Sequence, residues 1–122
     1  MTPTLLAHLS QISKNLESLH TFAQEHGSDE QQQLISAMCQ TVNQALAHYQ
    51  QPIPTGHDED FFLWRHEAIR PVSLCINSAE LLLTDEEYPL ETAQRTLAQE
   101  ILDCAMTMTD QINAIADRRI AQ

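Results

Sequence analysis

His66 and Glu67 are neighbours in the sequence, and Arg70 and Pro71 follow within the next five residues. A neutral imidazole is a good nucleophile, and an imidazole with its ordinary pKa is mostly neutral at pH 7. A carboxylate beside it can orient the ring or accept its proton. Arg70 can contact a phosphate, and Pro71 removes a backbone hydrogen bond and should bend a helix just after the histidine. These residue types suit nucleophilic chemistry at His66, assisted by Glu67.

We expect neither a metal ion nor a bound cofactor. In the zinc-protease helix motif a second histidine follows the first by four residues, but Arg70 occupies that position. The three cysteines, Cys39, Cys75 and Cys104, are widely separated and give neither a thiolate metal site nor a disulfide framework. They are predicted to be buried free thiols.

Residues 61–73 read Phe-Phe-Leu-Trp-Arg-His-Glu-Ala-Ile-Arg-Pro-Val-Ser. Aromatic residues precede a His-Glu pair, and a proline follows the histidine by five residues. This pattern resembles the H-box of the dimerisation and phosphoacceptor domain of sensor histidine kinases, with Val72 in the apolar position after the proline. The likeness extends more loosely over residues 60–119, about half of the chain.

The resemblance implies a histidine phosphotransfer module of a two-component pathway. His66 would accept a phosphoryl group and exchange it with an aspartate of a response-regulator receiver domain, which would supply its own Mg²⁺. Glu67 resembles the family's acidic residue that orients or deprotonates the histidine. The implied partners are a receiver domain, a histidine kinase, or both. Two alternatives stay open: a regulator that binds a kinase or receiver without being phosphorylated, and a structural bundle whose likeness is accidental.

Two departures from the family pattern limit the expected activities. The family usually has a basic residue three positions after the histidine and Thr or Asn four positions after it, whereas this chain has Ile69 and Arg70. A guanidinium cannot accept a hydrogen bond from a hydrolytic water, so we expect little phosphatase activity. The sequence has only two glycines and ends shortly after the last expected helix. We therefore expect no ATP-binding domain and no ATP-dependent autophosphorylation.

Apolar residues recur at steps of three and four, which predicts four helices. The first should span about residues 3–25 and end at Gly27 in the left-handed conformation. A capping box from Ser28 to Gln31 should begin the second, which reaches about residue 50. The third should span about 59–83, and the fourth should begin with Pro89 at its first position and reach about residue 119.

Each expected helix has a seam of core residues. The first two seams are Leu5, Leu9, Ile12, Leu16, Leu19 and Ala23, then Ile35, Met38, Val42, Ala45 and Tyr49. The third and fourth are Phe62, Ile69, Val72, Ile76, Ala79 and Leu83, then Leu90, Leu97, Ile101, Cys104, Met108, Ile112 and Ile115. Arg65 would fill the gap in the third seam. His66 would then lie on a shoulder of the bundle, within reach of a partner.

Two prolines and a glycine within residues 51–57 predict a linker. It would join an N-terminal hairpin, residues 1–50, to the kinase-like hairpin, residues 58–122. Four antiparallel helices with short connections predict a single all-α domain, a four-helix bundle made of two helical hairpins.

Bundles of the family combine hairpins from two chains, although residues 3–50 offer a second hairpin within this one. A homodimer is nevertheless expected, because Leu74, Leu81 and Leu82 extend the apolar surface of the third helix beyond its main seam.

The chain is strongly acidic, with a formal net charge of -11. The basic surface of a nucleic-acid-binding protein is therefore missing, and nucleic acid is not an expected partner. No apolar run approaches the ~20 residues that a transmembrane helix needs, and the N-terminus lacks a basic signal region. We expect a cytoplasmic protein that does not associate with membranes.

Overall fold

The computed structural model describes residues 3–56 and 58–121, and it contains four helices. These are α1 (Pro3–His26), α2 (Asp29–Tyr49), α3 (Asp58–Leu83) and α4 (Thr92–Ala121). None of the described residues belongs to a β-strand, so the expected all-α class is confirmed. The linker's last residue, His57, and the two chain ends included in the expected hairpins lie outside the described residues.

The four helices pack in a ring. α1 contacts α2 and α4, and α3 contacts the same two helices, whereas the described residues show no such packing across either diagonal. The hairpin α1–α2 therefore packs against the hairpin α3–α4 through the α1–α4 and α2–α3 contacts. The expected four-helix bundle is confirmed, and both of its hairpins come from one chain.

The predicted seams of α1 and α2 are confirmed, since every residue in them is buried. The capping box is also present: the Gln31 amide donates to the Ser28 hydroxyl at 3.1 Å, and the Ser28 amide donates to the Gln31 side chain at 3.0 Å. The left-handed conformation expected at Gly27 is wrong, because no described glycine has a positive φ. Glycine is needed there for space, since a Cβ would lie 2.8 Å from the Cα of Ala23.

The predicted seam of α3 is mostly wrong. Val72 and Ala79 are buried as expected, but Phe62 is 70 % exposed, and Ile69, Ile76 and Leu83 are only half-buried. The buried residues of α3 are Phe61, Trp64, Ala68, Pro71, Val72, Cys75, Ser78, Ala79 and Leu82. Small residues let α3 lie close to its neighbours. The predicted seam was chosen for its large apolar side chains and therefore missed these small buried residues.

The seam of α4 is corrected in the same way. Leu90, Ile101, Met108 and Ile112 are buried as predicted. Ala98, Ala105 and Ala116 are also buried, while the predicted Leu97, Cys104 and Ile115, each one position earlier, are half-buried. Alanine therefore forms much of the surface by which α4 packs into the bundle.

The connection between α3 and α4 is longer than predicted. Pro89 is not the first residue of α4, because the helix begins at Thr92 and its first carbonyl acceptor is Glu91, bonded by the Arg95 amide at 2.8 Å. The Asp85 carboxylate accepts hydrogen bonds from the amides of Glu87 and Tyr88, which folds the loop before the proline. Since the loop continues through Pro89, the proline lies before the helix.

Candidate functional site

His66 lies on the outer face of α3 and is exposed to solvent. The buried seam passes through Ala68, and a separation of two residues on an α-helix places His66 about 160° around the axis from it. Arg65, which was expected to lie in the seam, is half-buried, and its guanidinium donates to the side chain of Asn113 on α4 at 2.8 Å. His66 is thus farther from the core than the predicted shoulder position.

Two large apolar side chains lie beside His66 on the same outer face. Phe62 and Leu63 precede it by one turn and are 70 % and 60 % exposed. The neighbouring aromatics behave differently: Phe61 and Trp64 are buried, with ring centroids 5.8 Å apart, and Trp64 also stacks on His48 of α2. The aromatic segment therefore divides into a buried pair and an exposed apolar pair next to the histidine.

Glu67 and Arg70 contribute opposite charges to the same region of α3. Their closest charged atoms are 3.8 Å apart, and both side chains are substantially exposed. An exposed pair of this kind contributes little to stability. Arg70 follows His66 by four residues, so the two residues start from the same side of the helix one turn apart, while the guanidinium itself lies against Glu67. The structure thus brings His66, Glu67 and Arg70 together on one stretch of helix.

Pro71 is buried, and it borders a cleft on the side of α3 that faces α2. It lacks a backbone N–H, so the carbonyl of Glu67 loses its usual helical donor. A cleft of about 480 Å³ opens here between the two helices. Its walls include Glu67, Arg70 and Pro71 from α3, and Thr41, Gln44 and His48 from α2. The expected bend of α3 at Pro71 stays a prediction.

Tyr49, predicted only as a core residue, makes a polar contact with this helix. Its side chain is 5 % exposed, and its hydroxyl donates to the carbonyl oxygen of Ala68 at 2.6 Å. Burial raises the pKa of Tyr49 far above the ordinary value of a phenol, with the nearby Cys75 as a secondary cause. The signal in the sequence was weak: a buried tyrosine requires a partner for its hydroxyl, but nothing in the sequence identified Ala68.

A smaller cleft of about 220 Å³ lies between α1 and α2, lined in part by Glu17, His20 and Cys39. Sequence reasoning missed that Glu17 and His20 have the Glu-x-x-His spacing that di-iron bundles use in pairs on facing helices. The described residues nevertheless contain no group of three His, Cys, Asp or Glu side chains that could hold a metal ion. Burial, and then the charge of Glu17, raises the pKa of the Cys39 thiol.

All three cysteines are free, but they differ in burial. Cys75 is buried as predicted, whereas Cys39 and Cys104 are only half-buried. Burial raises the pKa of Cys75 to about 12. The neutral thiol is therefore strongly favoured at Cys75 near pH 7.

The fold and the site together define an all-α four-helix bundle that exposes one histidine beside an apolar pair on the outside of α3. No protein-family model, curated protein sequence or solved structure matches this chain. None of the described helices combines the length and the apolar character that a membrane span requires.

Proposed function

We propose that the protein is a histidine phosphotransfer module of a two-component pathway, with His66 as the phosphoacceptor. The observation that carries the proposal is the exposure of His66 on a helix that the rest of the bundle supports from two sides. A phosphoacceptor must reach into the active site of a second protein, so it must lie on the surface. The H-box likeness of residues 61–73 supplies the reason to choose this histidine over the others.

The proposed reaction moves one phosphoryl group between two side chains. A nitrogen lone pair of His66 attacks the phosphorus of an aspartyl phosphate on the receiver domain. The nitrogen–phosphorus bond forms as the phosphorus–oxygen bond breaks, and the receiver aspartate leaves as a carboxylate. The imidazole gives up its remaining proton to Glu67 or to water. Arg70 lies one turn away and contacts the phosphoryl oxygens, while the receiver contributes Mg²⁺.

Phe62 and Leu63 supply the docking surface. A receiver domain that covers this pair removes two large apolar side chains from water beside the reacting nitrogen. Docking energy gained there holds the two reacting groups together and lowers the entropic part of the barrier. The partner is therefore expected to present an apolar patch next to its phosphorylated aspartate, and we propose that the two proteins meet in the cytoplasm.

The second hairpin decides how many chains the module needs. α1 and α2 complete the bundle around α3 and α4, so one chain already supports the helix that carries His66. The homodimer remains a proposal with a smaller apolar basis than expected, because Leu82 is buried, Leu74 is half-buried and only Leu81 is exposed. A strictly monomeric mass by light scattering at high micromolar concentration would refute the dimer.

The second candidate function is docking without phosphorylation. One observation favours it: Phe62 and Leu63 are exposed and can form a contact surface whether or not His66 reacts. In this case the protein would bind a histidine kinase or a receiver domain and regulate it by occupying its docking surface. Phosphate uptake and receiver binding, measured separately, distinguish the two functions.

The test exposes the protein to phosphorylated receiver domains encoded in the same genome. Phosphohistidine is detected by mass spectrometry under conditions that preserve the nitrogen–phosphorus bond. His66→Gln keeps a polar side chain of similar reach but removes the nucleophile. His26→Gln is the matched control, because His26 is also exposed and also has a glutamate beside it, Glu25 at 3.8 Å.

We expect phosphate uptake in the unaltered protein and in His26→Gln, and none in His66→Gln. Normal uptake by His66→Gln would refute the assignment of the site. If no variant accepts phosphate but the unaltered protein and His66→Gln bind a receiver equally, the docking function is correct instead. Loss of binding in a variant that changes Phe62 and Leu63 to Ser would then confirm the surface involved.

A further inference from the structure

We infer that Tyr49 is a positioning residue. Its hydroxyl fixes the turn of α3 that carries His66, and it does so next to the place where Pro71 interrupts the hydrogen bonds of the helix. The functional part of this inference rests on the proposed phosphotransfer at His66. Its structural part can be tested without any phosphate.

The gap and the tyrosine contact lie next to each other on the backbone. Pro71 cannot donate to the carbonyl of Glu67, and the next carbonyl, that of Ala68, accepts the Tyr49 hydroxyl at 2.6 Å. This is a short distance for an O–H···O hydrogen bond. Both residues are buried, so water does not compete for the bond, and its loss would not be compensated by solvent.

The surrounding packing explains why one hydrogen bond matters at this place. The cleft between α2 and α3 borders Glu67, Arg70 and Pro71, so side chains do not fill this side of the helix completely. Where packing leaves room, a directional bond to the backbone fixes the orientation of the helical turn. Ala68 directly follows His66 and Glu67, so this bond constrains the turn that presents both of them.

Tyr49 is also placed to connect the two hairpins. It is the last residue of α2 and lies just before the linker to α3. Its contact with Ala68 therefore joins the N-terminal hairpin to the helix that carries the candidate phosphoacceptor. A change in how the two hairpins pack would reach His66 through this bond.

The structural test compares amide hydrogen exchange in Tyr49→Phe with that in the unaltered protein. The matched control is Tyr88→Phe, because Tyr88 is the other tyrosine of the chain and is 53 % exposed. We expect exchange of the Val72 and Ser73 amides, just beyond the gap, to become about 3- to 10-fold faster in Tyr49→Phe, as loss of one hydrogen bond implies. Tyr88→Phe should leave them unchanged.

A double-mutant cycle with Pro71→Ala shows whether the two features act together. Alanine restores the missing N–H and closes the ladder, so Tyr49→Phe should then have much less effect on the same amides. Unchanged exchange beyond Pro71 in Tyr49→Phe would overturn the inference. Equally faster exchange throughout all four helices would also overturn it, since this would indicate a general loss of stability.

The functional test measures the rate of phosphate transfer to His66 and the affinity for the receiver separately. We expect Tyr49→Phe to lower the transfer rate about 3- to 10-fold at unchanged receiver affinity, because misplacing a reacting group affects the chemical step. An unchanged rate would overturn the positioning role. Locally faster exchange, together with no phosphate uptake even by the unaltered protein, would support the structural contact and refute the proposed function.

Discussion

Replacing Pro71 by alanine has several energetic effects of opposite sign, and the structure allows their sizes to be compared. Alanine restores one backbone hydrogen bond and removes the clash of the ring with the preceding turn, a difference of about 3 kcal/mol in a helix interior. Pro71 is buried, however, so removing about two ring methylenes costs about 0.8 kcal/mol each. The unfolded chain also becomes more flexible, which costs a further ~0.4–1 kcal/mol. A net stabilisation of about 0.4–1 kcal/mol is expected.

Urea unfolding followed by circular dichroism measures this difference. The control is Ser73→Ala, which lies two residues later on the exposed side of α3 and should change stability by less than about 0.5 kcal/mol. A gain of about 2–2.6 kcal/mol for Pro71→Ala, which is the helix term less the unfolded-chain term, would show that packing of the ring contributes nothing. A loss of more than 1 kcal/mol would show that the ring fills its site better than the helix geometry suggests, and the reasoning would be wrong. The rate of phosphate transfer should fall despite the gain in stability, if the proline shapes the site.

Three further predictions concern the bundle. The Asn15 side chain is 4 % exposed and donates to the Glu100 carboxylate at 2.9 Å. Asn15→Asp replaces this donor with a second carboxylate, so it should lower the free energy of unfolding by about 3 kcal/mol in urea melts at pH 7. The loss should be smaller at pH 4, where carboxyl groups take up protons. Ser28→Ala removes the N-cap of α2 and should cost about 1 kcal/mol in the same assay, whereas Ser10→Ala, exposed within α1, should not. Burial raises the pKa of Cys75 from 9.0 to about 12, so the thiol of the unfolded state loses its proton at lower pH than the thiol of the folded state. The free energy of unfolding should therefore fall as the pH rises above about 9. The fall should be steeper than in Cys75→Ala.

The sequence was sufficient for the first hairpin because its core is built from large aliphatic residues. The seams from Leu5 to Ala23 and from Ile35 to Tyr49 keep strict spacing of three and four, and every position in them is buried. In α3 and α4 the same spacing of large apolar residues predicted the buried face of each helix only partly correctly. Ala68 and Ala105 are completely buried there, while the larger Phe62 is exposed. Small residues carry little hydrophobic signal, although they set how closely two helices approach.

The residues of the candidate site could be predicted from the sequence, whereas the contacts that surround them were harder to predict. His66, Glu67, Arg70 and Pro71 are consecutive or nearly so, and a helix brings such residues together by its own geometry. The contact between Tyr49 and Ala68 depends instead on how two helices align across the linker, which no local pattern specifies. The division of the aromatic segment into buried and exposed members has the same origin, because it follows from the rotation of α3 in the bundle.

The exposure of Phe62 and Leu63 has no explanation within the bundle itself. Since α3 packs against α2 on one side and α4 on the other, its third face is free to be polar, and elsewhere on this face Ser73 and Asn77 are. Burying one large apolar side chain is worth about 1.5–3 kcal/mol, so a partner that covers both gains several kcal/mol at this place. Scattered apolar residues are normal on protein surfaces, but two adjacent ones beside an exposed histidine form a patch. A surface of this composition is suited to transient docking over His66, which both proposed functions require, and only the phosphotransfer function also requires the imidazole.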